Sequence, residues 1–240
     1  MSKVKVGDIF KTNEGGSVTV IGYKNNSYIT VKHNDEHEHK AVVERKRLFL
    51  GTIKNPYHKS VCGVGYLGVG KYKTQKDKVL CKAYKIWRAM LKRCYTKLST
   101  KNINYKDCVV CDEWHNFQKF AEWYYNQMGW DCSYHLDKDL FSMGYKIYSP
   151  ETCCLIPAEI NSSIISITNK ESVLGYYKRS NELYEVRCRN VEGSYKSFSN
   201  KEDALEYYRQ LKFQRIQWIA KKWEGKVDGR VFDKLINWEF

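Results

Sequence analysis

The sequence predicts an α+β protein: a small strand-rich start, a helical middle, and a final sheet carrying its own helix. Three observations predict it. β-formers alternate with polar residues over 1–53, apolar residues recur at steps of three and four over 77–128, and three strand-like runs precede a long amphipathic stretch after residue 173.

In the first segment, "VTVIGY" (18–23) and "YITVKH" (28–33) flank the turn-prone "KNNS", a third strand is expected over 40–45, and "EGG" (14–16) marks an earlier turn. The pattern suits a small barrel or an open sheet. His33, His37 and His39 lie in "HNDEHEH", which reads as a polar loop of solvated charges rather than a ligand set.

Residue 54 opens a second segment, 54–172. "CGVGYLGVGKYKT" is rich in glycine, but no GK[ST] follows and no strand–loop–helix unit surrounds it, so a nucleotide phosphate loop is excluded. A flexible basic loop near a phosphodiester backbone is the expectation, with a plain linker as the alternative. Leu80, Tyr84, Trp87, Leu91 and Tyr95 form one helical stripe, and Trp114, Phe117, Ala121, Tyr124 and Met128 form a second. Lys82, Lys85, Arg88, Lys92 and Arg93 occupy much of the first helix's remaining surface and are the expected phosphate contacts.

The last segment, 173–240, reads as three strands, "LGYYKR", "LYEVRCRN" and "SYKSF", then a helix opened by "SNKE". Ser199 as N-cap with Glu202 three residues on would make a capping box. Arg187 and Arg189 stand at i and i+2 and so share one sheet face, expected to be the one the helix leaves uncovered. Together with Lys196 they are the expected DNA contacts of this segment.

Charge narrows the function classes. The chain of 240 residues has 41 Lys+Arg against 27 Asp+Glu, a formal net charge of +14, and it is rich in Tyr and Trp. Such a field attracts polyanions, which makes nucleic acid the first expected partner. No apolar run reaches the length of about eighteen residues that a membrane span requires. "MSKVKVGDIF" lacks the apolar centre of a signal peptide. Nine cysteines, an odd number, fit reduced thiols, so a cytoplasmic location is expected. Cys108 and Cys111 form C-x₂-C, and Cys132 with His135 forms C-x₂-H, both zinc spacings. Val109-Val110 reads as strand interior and Cys153-Cys154 supplies no second knuckle, so buried thiols are preferred to structural Zn²⁺.

"YKIWRAMLKRCY", "YKDCVVCDEWHNFQKFAEW" and "HLDKDLFSMGYKIYSPETCCLIPAEIN" resemble, in that order, bacteriophage proteins of the HNH endonuclease-like group over roughly 56–165. "LGYYKR…YEVRCR…YKSFSNKEDALEYYRQLK" resembles an Apetala-type DNA-binding domain, whose three strands enter the major groove and whose helix supports them. The resemblance implies a ββα catalytic module and metal-assisted phosphodiester hydrolysis. His135 would be the general base, and Asn161 would fill the motif's last position. As a strand, "HLDKD" would turn His135, Asp137 and Asp139 to one side, where Asp137, Asp139 and Asn161 would hold Mg²⁺ or Mn²⁺. Two departures stand out. Tyr134 occupies a position usually acidic or histidine, and no asparagine lies between Asp139 and Asn161. Two functions follow: a homing-like DNA endonuclease, or an inactive HNH-derived protein that binds DNA and regulates or inhibits.

Overall fold

A computed structural model describes residues 3–96, 105–142, 144–168, 176–178, 183–188, 191 and 195–239. The chain is α+β, with six α-helices and several small sheets among the described residues. It packs as two compact units, residues 1–106 with 110–122, and residues 107–109 with 123–240.

In the first unit, β1 (Ile9–Lys11), β2 (Ser17–Asn25), β3 (Tyr28–His33) and β4 (Lys40–Val43) form an antiparallel meander in the order β1-β2-β3-β4. The sheet is open, not a closed barrel. Alternation turns Val18, Val20, Ile29 and Val31 inward onto Val43, Leu48 and Ile53, with α1 (Arg45–Phe49) closing one end. His33 continues that inward series and is only 3% exposed, so it is not the solvated loop residue the sequence suggested. Its Nε2 is buried with no hydrogen-bond partner, and burial lowers its pKa.

The glycine-rich connector is packed rather than loose. A Cβ on Gly65 would run into Leu91 and the Trp87 ring. Gln118 holds the connector's far end: its Oε1 accepts Tyr72 N at 2.9 Å and its Nε2 donates to Tyr72 O at 3.0 Å. Gly65, Gly68 and Gly70 permit close backbone approach to Trp87, Asn116 and Gln118, a packing need of their own. After a two-stranded ribbon, β5 (Gln75–Lys76) with β6 (Val79–Leu80), comes α2 (Lys82–Tyr95). It buries Ala83, Trp87, Met90 and Leu91, and Trp87 Nε1 donates to Trp114 O at 2.7 Å.

β7 (Val109–Val110) is followed by a 3₁₀ turn over Asp112–His115 and by α3 (Phe117–Tyr125). The second stripe is real through Tyr124, but α3 ends at Tyr125 and Met128 is 49% exposed.

In the second unit, β8 (His135–Asp137) precedes β9 (Ile147–Tyr148), and β10 (Cys154–Ile156) pairs antiparallel with β8. α4 (Ala158–Thr168) follows β10 directly. β11 (Tyr176–Lys178), β12 (Tyr184–Arg187) and β13 (Tyr195–Phe198) form a three-stranded antiparallel sheet in that order. α5 (Lys201–Trp223) and α6 (Gly229–Ile236) complete the chain. α5 begins one residue later than the capping-box reading placed it: Asn200, not Ser199, is the N-cap, and its side chain accepts Asp203 N at 2.7 Å.

The long α5 serves two cores. Its first half packs Ala204, Tyr208 and Leu211 on Val186 and Cys188 of the sheet segment. Its second half packs Ile216, Ile219 and Ala220 on Cys154, Ile156, Ile160 and Ile164, with Val231 and Leu235 of α6.

Candidate functional site

The β8–β10 hairpin and α4 together make a ββα unit, and two side chains meet in it. His135, exposed at the start of β8, pairs across the hairpin with Ile156. Pro157 then leads into α4, and the first turn delivers Asn161. Asn161 Nδ2 lies 3.4 Å from His135 Nδ1, while Asn161 Oδ1 is buried without a hydrogen-bond partner.

The two aspartates do not join this pair in one row. β8 ends at Asp137, so Asp139 lies in the following turn and the expected common face is lost. Asp137 is 5% exposed, and its Oδ1 accepts the N–H groups of Asp139 at 3.0 Å and Leu140 at 2.9 Å. Burial outweighs these bonds and raises its pKa. Asp139 is ion-paired with Lys138, with half of its side chain still exposed. Among the described residues no group of three or more His, Cys, Asp or Glu stands close enough to hold a metal. Mg²⁺ takes only one or two protein carboxylates, with water and substrate phosphate completing its shell. The half-open Asp139 fits that demand, and Asp137, tied into its turn, does not. Cys108 is buried, which raises its thiol pKa, and Cys132 is exposed.

Tyr134, the departure before His135, is an anchor. Its hydroxyl donates to Lys226 O at 2.9 Å and its ring meets Trp223 edge-on. Sequence reasoning missed the clamp that fixes α4. Glu159 accepts Lys222 Nζ at 3.0 and 2.8 Å and Trp223 Nε1 at 2.9 Å, and the Lys222 bonds hold its carboxyl below the usual range. The partners are 63 residues apart in sequence, beyond the i,i+4 spacing through which a helix shows its own charge pairs.

The expected phosphate contacts divide. Lys85, Arg88 and Lys92 are exposed and line one cavity of about 630 Å³ on α2, with Ser60, Val61 and Cys62 as another part of its wall. Lys82 and Arg93 are half-buried, Arg93 lying over the Tyr105 ring. In the sheet, Arg187 is exposed on the face away from Val186. It contacts Glu185 Oε2 at 3.4 Å and lies over Tyr195. Lys196 pairs with Val186 in register and so points to the helix side, over Phe198 and Tyr207. Arg189 lies outside the described residues.

Among the described residues no helix is long and apolar enough to cross a membrane. Comparison with protein-family models, with curated proteins and with solved structures finds no match to this chain.

Proposed function

We propose that this protein binds double-stranded DNA and hydrolyses a phosphodiester bond at the His135–Asn161 pair, as a phage-type nuclease of HNH lineage. The observation that carries the reading is the ββα unit that sets Asn161 3.4 Å from His135 Nδ1. A histidine acts as base only through a free lone pair, and which nitrogen has it is set by what the other nitrogen bonds. With the Asn161 amide turned so that Oδ1 accepts from Nδ1–H, Nε2 keeps its lone pair. His135 Nε2 then takes the proton from the attacking water, and Asn161 holds the ring. In this arrangement Asn161 orients the base. Mg²⁺ or Mn²⁺, held in part by Asp139, would neutralise charge on the scissile phosphate.

DNA itself is gripped by charge. Lys85, Arg88 and Lys92 present three cations along one groove, and Arg187 presents an exposed guanidinium on the sheet face away from Val186, of the kind that makes a bidentate guanine contact.

A second reading has its own observation. With Nδ2 facing Nδ1, the amide donates to Nδ1, the proton sits on Nε2, and no lone pair is left for a base. The protein would then be a DNA-binding regulator or inhibitor without cleavage. Imidazole ¹⁵N shifts of His135 separate the two: a protonated Nδ1 supports the nuclease, and a protonated Nε2 supports the binder. In a nicking assay with Mg²⁺ or Mn²⁺, His135→Ala should lower the rate by about 10²–10⁴ and leave gel-shift affinity within a few-fold. A wild type that binds duplex and never nicks it decides for the binder.

A further inference from the structure

A polar cavity of about 50 Å³ lies in the first unit, beside the segment 54–58 that follows α1. Thr12 and Glu14 from the β1–β2 turn, His33 and Asp35 from the end of β3 and the loop after it, and Asn55 and His58 from the segment line it. The segment is a strap fastened to that turn and loop. Lys54 Nζ pairs with Glu14 Oε1 at 3.0 Å, Asn55 N donates to Glu14 Oε2 at 2.9 Å, and Asn55 Nδ2 donates to Asp35 Oδ2. The Tyr57 ring stacks on His37 with centroids 4.0 Å apart.

His33, only 3% exposed, bonds the Lys54 backbone, while its Nε2 is buried with no hydrogen-bond partner. A neutral ring leaves only a lone pair unmet there. A protonated ring would bury an N–H without an acceptor and a charge without water. The cavity has room for about one water, whose share of the liquid is about 30 Å³, too little to hydrate an imidazolium. Glu14, Asp35 and His39 face the ring from the sheet side, His39 with its centroid 5.9 Å away, and Lys54 and His58 face it from the strap. Both carboxylates are already engaged, Glu14 by Lys54 and Asn55, and Asp35 by Asn55 and the N–H groups of His37 and Glu38. Burial, the largest influence, lowers the His33 pKa and His39 adds to it, while Asp35, Glu14 and the Lys54 bond act the other way.

We propose that His33 is an acid-sensitive latch: when it gains a proton, residues 54–58 lift from the sheet and open the cavity to water. The strap gives way first because β2, β3 and β4 are joined by backbone ladders, whereas the strap meets Glu14, Asp35 and His37 through their side chains. Open, the ring titrates near its ordinary 6.5; closed, it titrates lower. The closed form is therefore favoured above about 6.5 and loses ground as pH falls below it, by up to about tenfold per pH unit. Glu14 and Asp35 stay charged through this window. Burial raises their carboxyls, but the bonds from Asn55, Lys54 and the loop amides outweigh it and leave both below the ordinary carboxylate range. The latch does not depend on the hydrolysis proposed above.

Amide hydrogen exchange of the full chain, corrected for the intrinsic effect of pH, is followed residue by residue from about pH 7.5 to 5.5. The Asn55 amide, which donates to Glu14, should lose protection by up to about tenfold per pH unit below about 6.5. The amides of the β2–β3 ladder should keep theirs. His33→Gln removes the titration but keeps a donor and an acceptor, and should hold Asn55 protection constant across the range. His58→Gln, at an exposed histidine of the strap, should leave the response intact. Should His33→Gln fail to fold, the ring ¹³C–¹H shift of His33 in wild type reads the same event. Its midpoint should lie below about 6.5 and mark where the loss of Asn55 protection levels off. Asn55 protection that ignores pH, that falls equally in His33→Gln, or that falls together with the ladder amides overturns the latch.

Discussion

Asp137 shows how one carboxylate is read differently at two levels. In the string "HLDKD" it is a metal ligand at i+2 from a histidine; in the fold it is a turn cap sealed at 5% exposure. Burial, the larger effect, raises its pKa above the ordinary 3.8 despite two backbone bonds that lower it. The folded chain therefore binds the proton more tightly than the unfolded one. Stability present at low pH is lost as pH rises from about 3.8 through the folded value. Asp137→Asn keeps an oxygen for both N–H groups and removes the ionisation. Its urea midpoint should stop falling over that window. Asp137→Ala strands the N–H groups of Asp139 and Leu140 and should cost about 1–3 kcal/mol. A turn-capping role also predicts that Asp137→Asn keeps any cleavage activity, whereas a metal-ligand role predicts its loss at unchanged stability. His33 makes the same point: alternation from Ile29 and Val31 marks it as inward, yet its charged neighbours in sequence disguise it as loop.

At the scale of the element, α5 has 23 residues, about 35 Å of helix at 1.5 Å per residue. That length lets one helix carry two apolar faces in succession, one for the three-stranded sheet and one for the ββα unit. The strand sheet and the α4 core are thus joined through a single rigid element. The start of α5 gives a direct test. Asn200→Ala should destabilise the chain by about 1 kcal/mol, within the range of about 0.5–2 for a lost N-cap. Ser199→Ala should fall within about 0.5 kcal/mol of wild type, as a surface change does. Denaturant midpoints of the two variants distinguish the observed cap from the one the "SNKE" pattern suggests. The start of this helix was legible in sequence, but its cap was displaced by one residue, because Ser, Asn and Asp are equally good caps and only the backbone path chooses among them.

For the whole molecule, the net charge of +14 is the property that sets its encounters. On the proposed function, cations along the α2 groove would contact phosphate without reading sequence. Lys85→Ala, Arg88→Ala and Lys92→Ala should each weaken all duplexes alike and reduce the salt slope by about 0.9. Arg187→Ala should instead relax preference at one position, a discrimination of about 1–3 kcal/mol, read by competition between related duplexes. Equal, sequence-independent losses from all four variants would remove Arg187 from a reading role. The partition follows from placement: three exposed cations share a groove wall, and Arg187 shares the sheet face away from Val186 with Glu185 and Tyr195.

By itself the sequence determined the α+β class, the strands β2 and β3, the stripe of α2 from Tyr84 on (Leu80 falls in β6) and that of α3 as far as Tyr124, the final sheet with its helix, and the net positive charge. These depend on local periodicity and composition, which are written within a few residues of each other. Only the tertiary structure decided that Asn161 Nδ2 stands 3.4 Å from His135 Nδ1, 26 positions back, while Asp137, two residues after His135, is buried as a turn cap. It also decided that Tyr134 anchors to Lys226, that Glu159 is clamped by Lys222 and Trp223, and that Lys212 is buried beside Arg215. A strand that stops two residues early rotates a side chain out of its row, and a long-range pair leaves no periodic trace. Such contacts exist only once the separate elements have packed.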